Sequence, residues 1–177
     1  HVGCIQNFLA SDADYLIVLE DDMQLANDFK KTIDEVLAYL DNHKAFDWNL
    51  INIGPKKKKI CTTIQSFNGY ELLHAYYFPI RTIGLVWSRK GAEAFISQGL
   101  EIFMPIDNYL QHWLSANSKG LSIWAPLVRP SGFDSVIDVN RSAKKKNTLA
   151  FSAKKLMRTW NTRFTAINNK ILNKNGN

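Results

Sequence analysis

The chain's 177 residues make room for one domain with a sizeable core, and its 46% hydrophobic and 21% charged content excludes a wholly disordered chain. No apolar run approaches the roughly 18 residues that cross a bilayer, so a transmembrane helix is not expected. The net charge of +6 is uneven: residues 1–140 hold 12 Lys or Arg and all 16 acidic residues, whereas residues 141–177 hold ten basic residues and no acid, a division that speaks of partners rather than of fold.

Tyr15-Leu16-Ile17-Val18-Leu19 is a continuous apolar run rich in β-formers. It is too short for a helix and reads as a strand buried on both faces, as in a parallel sheet. Glu20, Asp21 and Asp22 follow at its carboxyl end. From Asp28 the pattern turns helical, with Phe29, Ile33, Val36 and Leu40 on one face and Asn27 or Asp28 available as cap. A second strand is expected over Trp48 to Ile53, broken by Gly54-Pro55. A loop carrying Lys56 to Lys59 follows, and short strands fit the stretch from Cys61 to Pro79. Thr82 to Ser88 reads as a third strand and Gly91 to Gln98 as a helix closed by Gly99. Pro105 suits the first turn of another helix, whose apolar face holds Ile106, Leu110, Trp113 and Leu114. Leu121 to Ala125 is a fourth strand ending at Pro126. Residues 140–147 read as a linker into a last helix, where Leu156, Trp160, Phe164, Ile167 and Ile171 recur at helical spacing. Alternating strands and helices predict an α/β layered domain over residues 1–140, with the basic linker and amphipathic helix at 141–177.

Three adjacent carboxylates at a strand end repel one another, and a hard divalent cation such as Mg²⁺ or Mn²⁺ relieves that repulsion through oxygen ligands. In open α/β sheets ligands bind beyond the carboxyl ends of the strands, which is where this triplet lies. By itself the triplet reads equally well as a solvated acidic loop. The four histidines, His1, His43, His74 and His112, have no metal-ligand spacing. Cys4 and Cys61 form no ligand-spaced cluster and are expected as reduced thiols of a cytosolic protein.

The stretch YLIVLEDDM resembles the signature of glycosyltransferase family 25, the lipopolysaccharide and lipooligosaccharide sugar transferases of Gram-negative bacteria. Val2-Gly3-Cys4, Trp48 to Gly54, TIGLVWSRKGAEAFI, Pro105-Ile106-Asp107 and Pro126-Leu127-Val128 resemble further family blocks in the same order, from about Val2 to Ile137. The resemblance implies a GT-A-like sandwich with a mostly parallel sheet; family members open with a further strand and an Arg-containing loop, which nothing in residues 1–14 resembles. It also implies an inverting transfer of a hexose, most readily galactose, from a UDP-sugar to a lipooligosaccharide acceptor, with Mn²⁺ or Mg²⁺ on the donor.

Carried over position by position, Asp22 and Glu20 are the implied metal ligands, with Glu20 also facing the nucleotide ribose. Asp21, Thr82 and Gly84 join Glu20 as donor-binding positions. Asp107, in the first turn of its helix, is the candidate base; its other reading is a carboxylate that stabilises the helix start. Glu101, Glu71 and Asp134 compete for that role.

The implied setting is peripheral, on the cytoplasmic face of the bacterial inner membrane. The last helix, with Lys154, Lys155, Arg158, Arg163 and Lys170 around its apolar stripe and Lys144 to Lys146 before it, fits an interfacial membrane helix. Its other reading packs the stripe on the domain and turns the charges to water. Lys56 to Lys59 read as phosphate contacts or as a solvated loop. The rival to an enzyme is a non-catalytic remnant or subunit binding anionic lipid or nucleic acid through the tail; with an intact triplet, nucleic acid is not the expected partner.

Overall fold

The computed structural model describes residues 2–43, 46–98, 104–131 and 149–175. Their order is α1 (Val2–Leu9), β1 (Tyr15–Leu19), β2 (Met23–Leu25), α2 (Phe29–Asn42), β3 (Leu50–Asn52), β4 (Thr62–Phe67), β5 (Tyr70–His74), β6 (Gly84–Ser88), α3 (Arg89–Ser97), α4 (Ile106–Asn117), β7 (Gly120–Trp124), β8 (Val128–Pro130) and α5 (Leu149–Asn175). The anticipated strands and helices recur with boundaries shifted by a few residues. Gly99, residues 140–147 and the competing carboxylates Glu101 and Asp134 lie outside the described residues, as do Lys144 to Lys146 and the side chains of Lys154 and Lys155.

Six strands form one sheet in the order β1-β6-β3-β7-β5-β4, and β2 pairs with β8 in a separate ribbon. The expected mostly parallel sheet is corrected here: β3 and β7 are the parallel neighbours, and the remaining pairs in the sheet are antiparallel. The cause is local. Asn68 and Gly69, with φ of 50° and 83°, turn β4 straight back into β5, the two-residue Asn-Gly hairpin whose positive φ matches strand twist. β6 then runs against both β1 and β3. Nor is β1 fully buried on both faces. It lies at the sheet edge, and Ile17 is 39% exposed.

Helices nevertheless cover both faces. Ile33, Val36 and Leu40 of α2 pack on Ile51, Val86 and Ile123, while α1, α3 and α4 bring Phe8, Phe95, Trp113 and Leu114 against Leu50, Leu85 and Trp87. Neighbouring residues of β3 and β6 thus enter opposite clusters, the period-two rule of a sheet covered on both sides. Asp28 precedes α2, but its side chain makes no capping bond and accepts from the Tyr70 hydroxyl at 2.9 Å. Cys4 and Cys61 are both free thiols. No helix among the described residues is long and apolar enough to cross a membrane.

The last helix docks through small and polar residues. Ala166 is fully buried against Tyr76 and Tyr77. Asn169 donates to the Ser115 carbonyl at 3.2 Å, Asn173 to the Tyr76 hydroxyl at 2.7 Å and Lys170 to the Cys61 carbonyl at 3.0 Å. Beside them His74 stacks on Tyr76 and its Nε2 lies 2.8 Å from the Ser118 carbonyl, which makes Nε2 the donor and leaves Nδ1 as acceptor. Burial holds the His74 imidazole below its usual pKa, only partly opposed by that bond. The unfolded chain therefore takes up the proton first as pH falls. Stability from this site is complete above about 6.5 and lost as pH drops from there towards the lowered folded value. In His74→Gln the acid-side decline of the urea midpoint over that interval is expected to flatten.

Candidate functional site

With β1, β3 and β7 running the same way, their carboxyl ends meet at one end of the sheet. Glu20 follows β1 directly. Its N–H donates to the Ile83 carbonyl at 3.1 Å, and its Oε1 accepts from the Thr82 hydroxyl at 3.0 Å. The half-buried Glu20 is thus tied to the segment entering β6. Asp21 and Asp22 form the following turn with both carboxylates exposed. The Asp22 carbonyl accepts from Ser131 N at 2.9 Å, and Met23 to Leu25 pair with Pro130 to Val128. The turn is therefore anchored on both sides by backbone bonds while its two outer carboxylates remain in solvent. A cleft of about 280 Å³ runs along this ribbon between Gln24, Asn27, Pro126 and Arg129.

Two of the expected donor-binding positions behave differently from one another. Thr82 reaches Glu20 directly. Gly84 is buried opposite Leu19 in the ladder, and a Cβ there would come within 2.8 Å of Ile53 and 2.9 Å of Val128, so its small size serves close packing beneath the triplet.

Asn52 organises this end and was not singled out from the sequence. Fully buried at the end of β3, it donates to the Arg81 carbonyl at 2.7 Å and accepts from Gly54 N at 3.0 Å. Arg81, next to Thr82, holds a φ of 119° that side chains rarely adopt. Asn52 therefore fixes the strained segment that carries Thr82 to Glu20. The available signal was one amide in the otherwise apolar run Leu50-Ile51-Asn52-Ile53, since a buried polar group needs partners. Asn52→Ala is expected to cost about 2–3 kcal/mol by leaving a buried carbonyl and an N–H unpaired. Urea titration would measure it; Asn52→Asp, which keeps the acceptor for Gly54 N but turns a carboxylate oxygen towards the Arg81 carbonyl in a fully buried site, should cost at least as much.

Asp107 sits in the first turn of α4, half-buried, with Oδ1 accepting from Asn108 N at 2.7 Å and from its side-chain amide at 3.0 Å. Glu71 is spoken for by other groups: Lys58 at 2.6 Å, and less strongly Thr63, hold its carboxyl below the usual range. That makes it a poor proton acceptor. In the lysine loop Lys56 to Lys59 are all exposed, but Lys58 is thereby engaged and Lys59 lies over the Tyr77 ring at 4.5 Å.

Among the described residues no three His, Cys, Asp or Glu side chains converge as a metal-holding group. The donor set still fits a hard cation that arrives with a diphosphate, because such ions take one or two protein carboxylates and complete their shell with phosphate and water. Asp22 and the free oxygen of Glu20 are oxygen donors of that kind.

The family model for glycosyltransferase family 25 (LPS biosynthesis protein) matches residues 1–110. The span takes in the triplet, the Thr82-to-α3 block and Asp107, and stops short of the Pro126-Leu127-Val128 block. No curated protein matches the chain. With well over half its length inside that match, the chain belongs to glycosyltransferase family 25, the glycosyltransferases of lipopolysaccharide biosynthesis.

Proposed function

We propose that this glycosyltransferase moves a hexose, galactose by family analogy, from a UDP-sugar to a lipooligosaccharide-type glycolipid, with inversion at the anomeric carbon. The observation that carries the reading is the triplet itself: one carboxylate tied to Thr82 and two left in solvent at the carboxyl end of β1. In this reading the layered domain is of GT-A type and works peripherally at the cytoplasmic face of the inner membrane. Asp22 and Glu20 hold Mn²⁺ or Mg²⁺, and Glu20 and Thr82 orient the nucleotide. The cation, when bound, supplies charge neutralisation at the departing diphosphate. Asp107 accepts the proton of the acceptor hydroxyl as that oxygen attacks.

Isothermal titration of UDP and UDP-galactose, with and without Mn²⁺, tests the donor site. Binding that requires Mn²⁺ and vanishes in Asp22→Ala is the expected result. Metal-independent binding, or none in either condition, would remove the donor-metal reading.

A further inference from the structure

The spacing of α5 carries two stripes, and the structure uses the less apolar one to dock. Thr162, Ala166, Asn169 and Asn173 face the domain. On the opposite side Leu156, Trp160, Phe164, Ile167, Ile171 and Leu172 are exposed, Trp160 by 70% and Phe164 by 65%. At 3.6 residues per turn this stripe spans about 160° of the helix, far more than scattered surface apolar residues provide. Arg158 falls on one flank and Arg163 on the other, both exposed.

We infer that this face of α5 is a docking surface for an anionic lipid bilayer. A broad apolar stripe with an indole and basic flanks is the pattern of a helix lying in the membrane interface. Charge selects this occupant over a second copy of the chain. Residues 141–177 hold ten basic residues and no acid, so pairing two such helices opposes like charges, whereas an anionic leaflet attracts every one of them. The surface deepens the proposed function, since it rests on an acceptor held in a membrane. α5 also packs on α4, which carries Asp107, so a helix seated on the bilayer would hold the candidate base in fixed relation to it.

The test is co-sedimentation of the full chain with phosphatidylcholine vesicles and with vesicles that also contain phosphatidylglycerol. Binding to the second kind is expected, weakened by salt. Trp160→Ser with Phe164→Ser should lower the partition coefficient roughly a hundredfold. Arg158→Gln with Arg163→Gln should lower it about thirtyfold and flatten the salt dependence. The Trp160, Phe164 and Arg158 side chains are exposed, and Arg163 touches the domain only through its guanidinium, 5.9 Å from the Tyr77 ring centroid, so circular dichroism should be unchanged. Equal binding to both vesicle types, no binding to either, or a dimer that dissociates in the Trp160/Phe164 variant would overturn the inference. Transfer to a water-soluble acceptor, assayed in the same variants, separates this surface from the enzymatic reading: binding without transfer in the unaltered chain would sink only the latter.

Discussion

Alanine in place of Asp22 is expected to lower the rate of sugar transfer roughly a thousandfold, the scale of losing charge stabilisation at a departing diphosphate. The substitution isolates chemistry from folding better than one at Glu20. The Asp22 side chain is exposed, and what the fold takes from this residue is its carbonyl, held by Ser131 N, and its place before the β2–β8 ribbon. Alanine preserves both, so the thermal midpoint should move little. Glu20→Gln is less clean, because the same change alters the bond from Thr82 and the packing of a half-buried side chain. Asp21→Ala, at a supporting position, should cost about tenfold, the scale of one modest polar contact. Transfer by Asp22→Ala within a few-fold of the unaltered chain would show that the triplet is a solvated loop after all.

The helices were legible because each keeps one apolar face: Phe29, Ile33, Val36 and Leu40 in α2, Ile106, Leu110, Trp113 and Leu114 in α4. Strand direction was not legible. Gly84 to Ser88 is wholly buried and flanked by antiparallel neighbours, yet such a run reads the same in a parallel sheet once helices cover both faces. The β4–β5 hairpin carried its signal in Asn68-Gly69, but Thr62 to Phe67 is an edge strand with mostly exposed side chains, so the apolar alternation that would have framed the turn is weak. In α5 the four-three-four spacing of Thr162, Ala166, Asn169 and Asn173 mirrors that of the apolar stripe, and spacing alone does not say which stripe docks. The site divides in the same way. Its exposed or terminal acids, Glu20, Asp22 and Asp107, stand out as motifs. Asn52 acts through buried hydrogen bonds to Arg81 and Gly54, partners that sequence neighbourhood does not reveal.

Gly91→Ala is expected to destabilise the chain by about 3 kcal/mol, a fall in thermal midpoint of roughly 10 °C for a domain of this size. The reason lies in the Ser88-Arg89-Lys90-Gly91 block, which the family resemblance picked out and the structure explains as a joint. Ser88 caps α3 by accepting from Gly91 N at 3.0 Å while its hydroxyl donates to the Trp48 carbonyl at 2.9 Å. Arg89 gathers the carbonyls of Leu9, Ser11 and Ala13 and lies over the Phe8 ring at 4.9 Å, locking the end of α1 to the start of α3. That leaves the first turn of α3 pressed on the backbone before β3. A Cβ on Gly91 would meet the Asn49 carbonyl oxygen at 2.0 Å and its carbon at 2.6 Å. Backbone cannot swing aside as a side chain can, so α3 would have to lift, breaking the Ser88 cap and loosening Phe95 and Ala92 from the core. Gly3→Ala supplies the contrast. Gly3 is also helical, but nothing lies within 4 Å of a Cβ built there, so alanine should instead stabilise by up to about 1 kcal/mol through helix propensity and a less flexible unfolded chain. A midpoint that falls for Gly91→Ala and rises for Gly3→Ala would show that close packing on Asn49, rather than glycine's conformational freedom, is what position 91 requires; equal shifts in the two variants would refute that account.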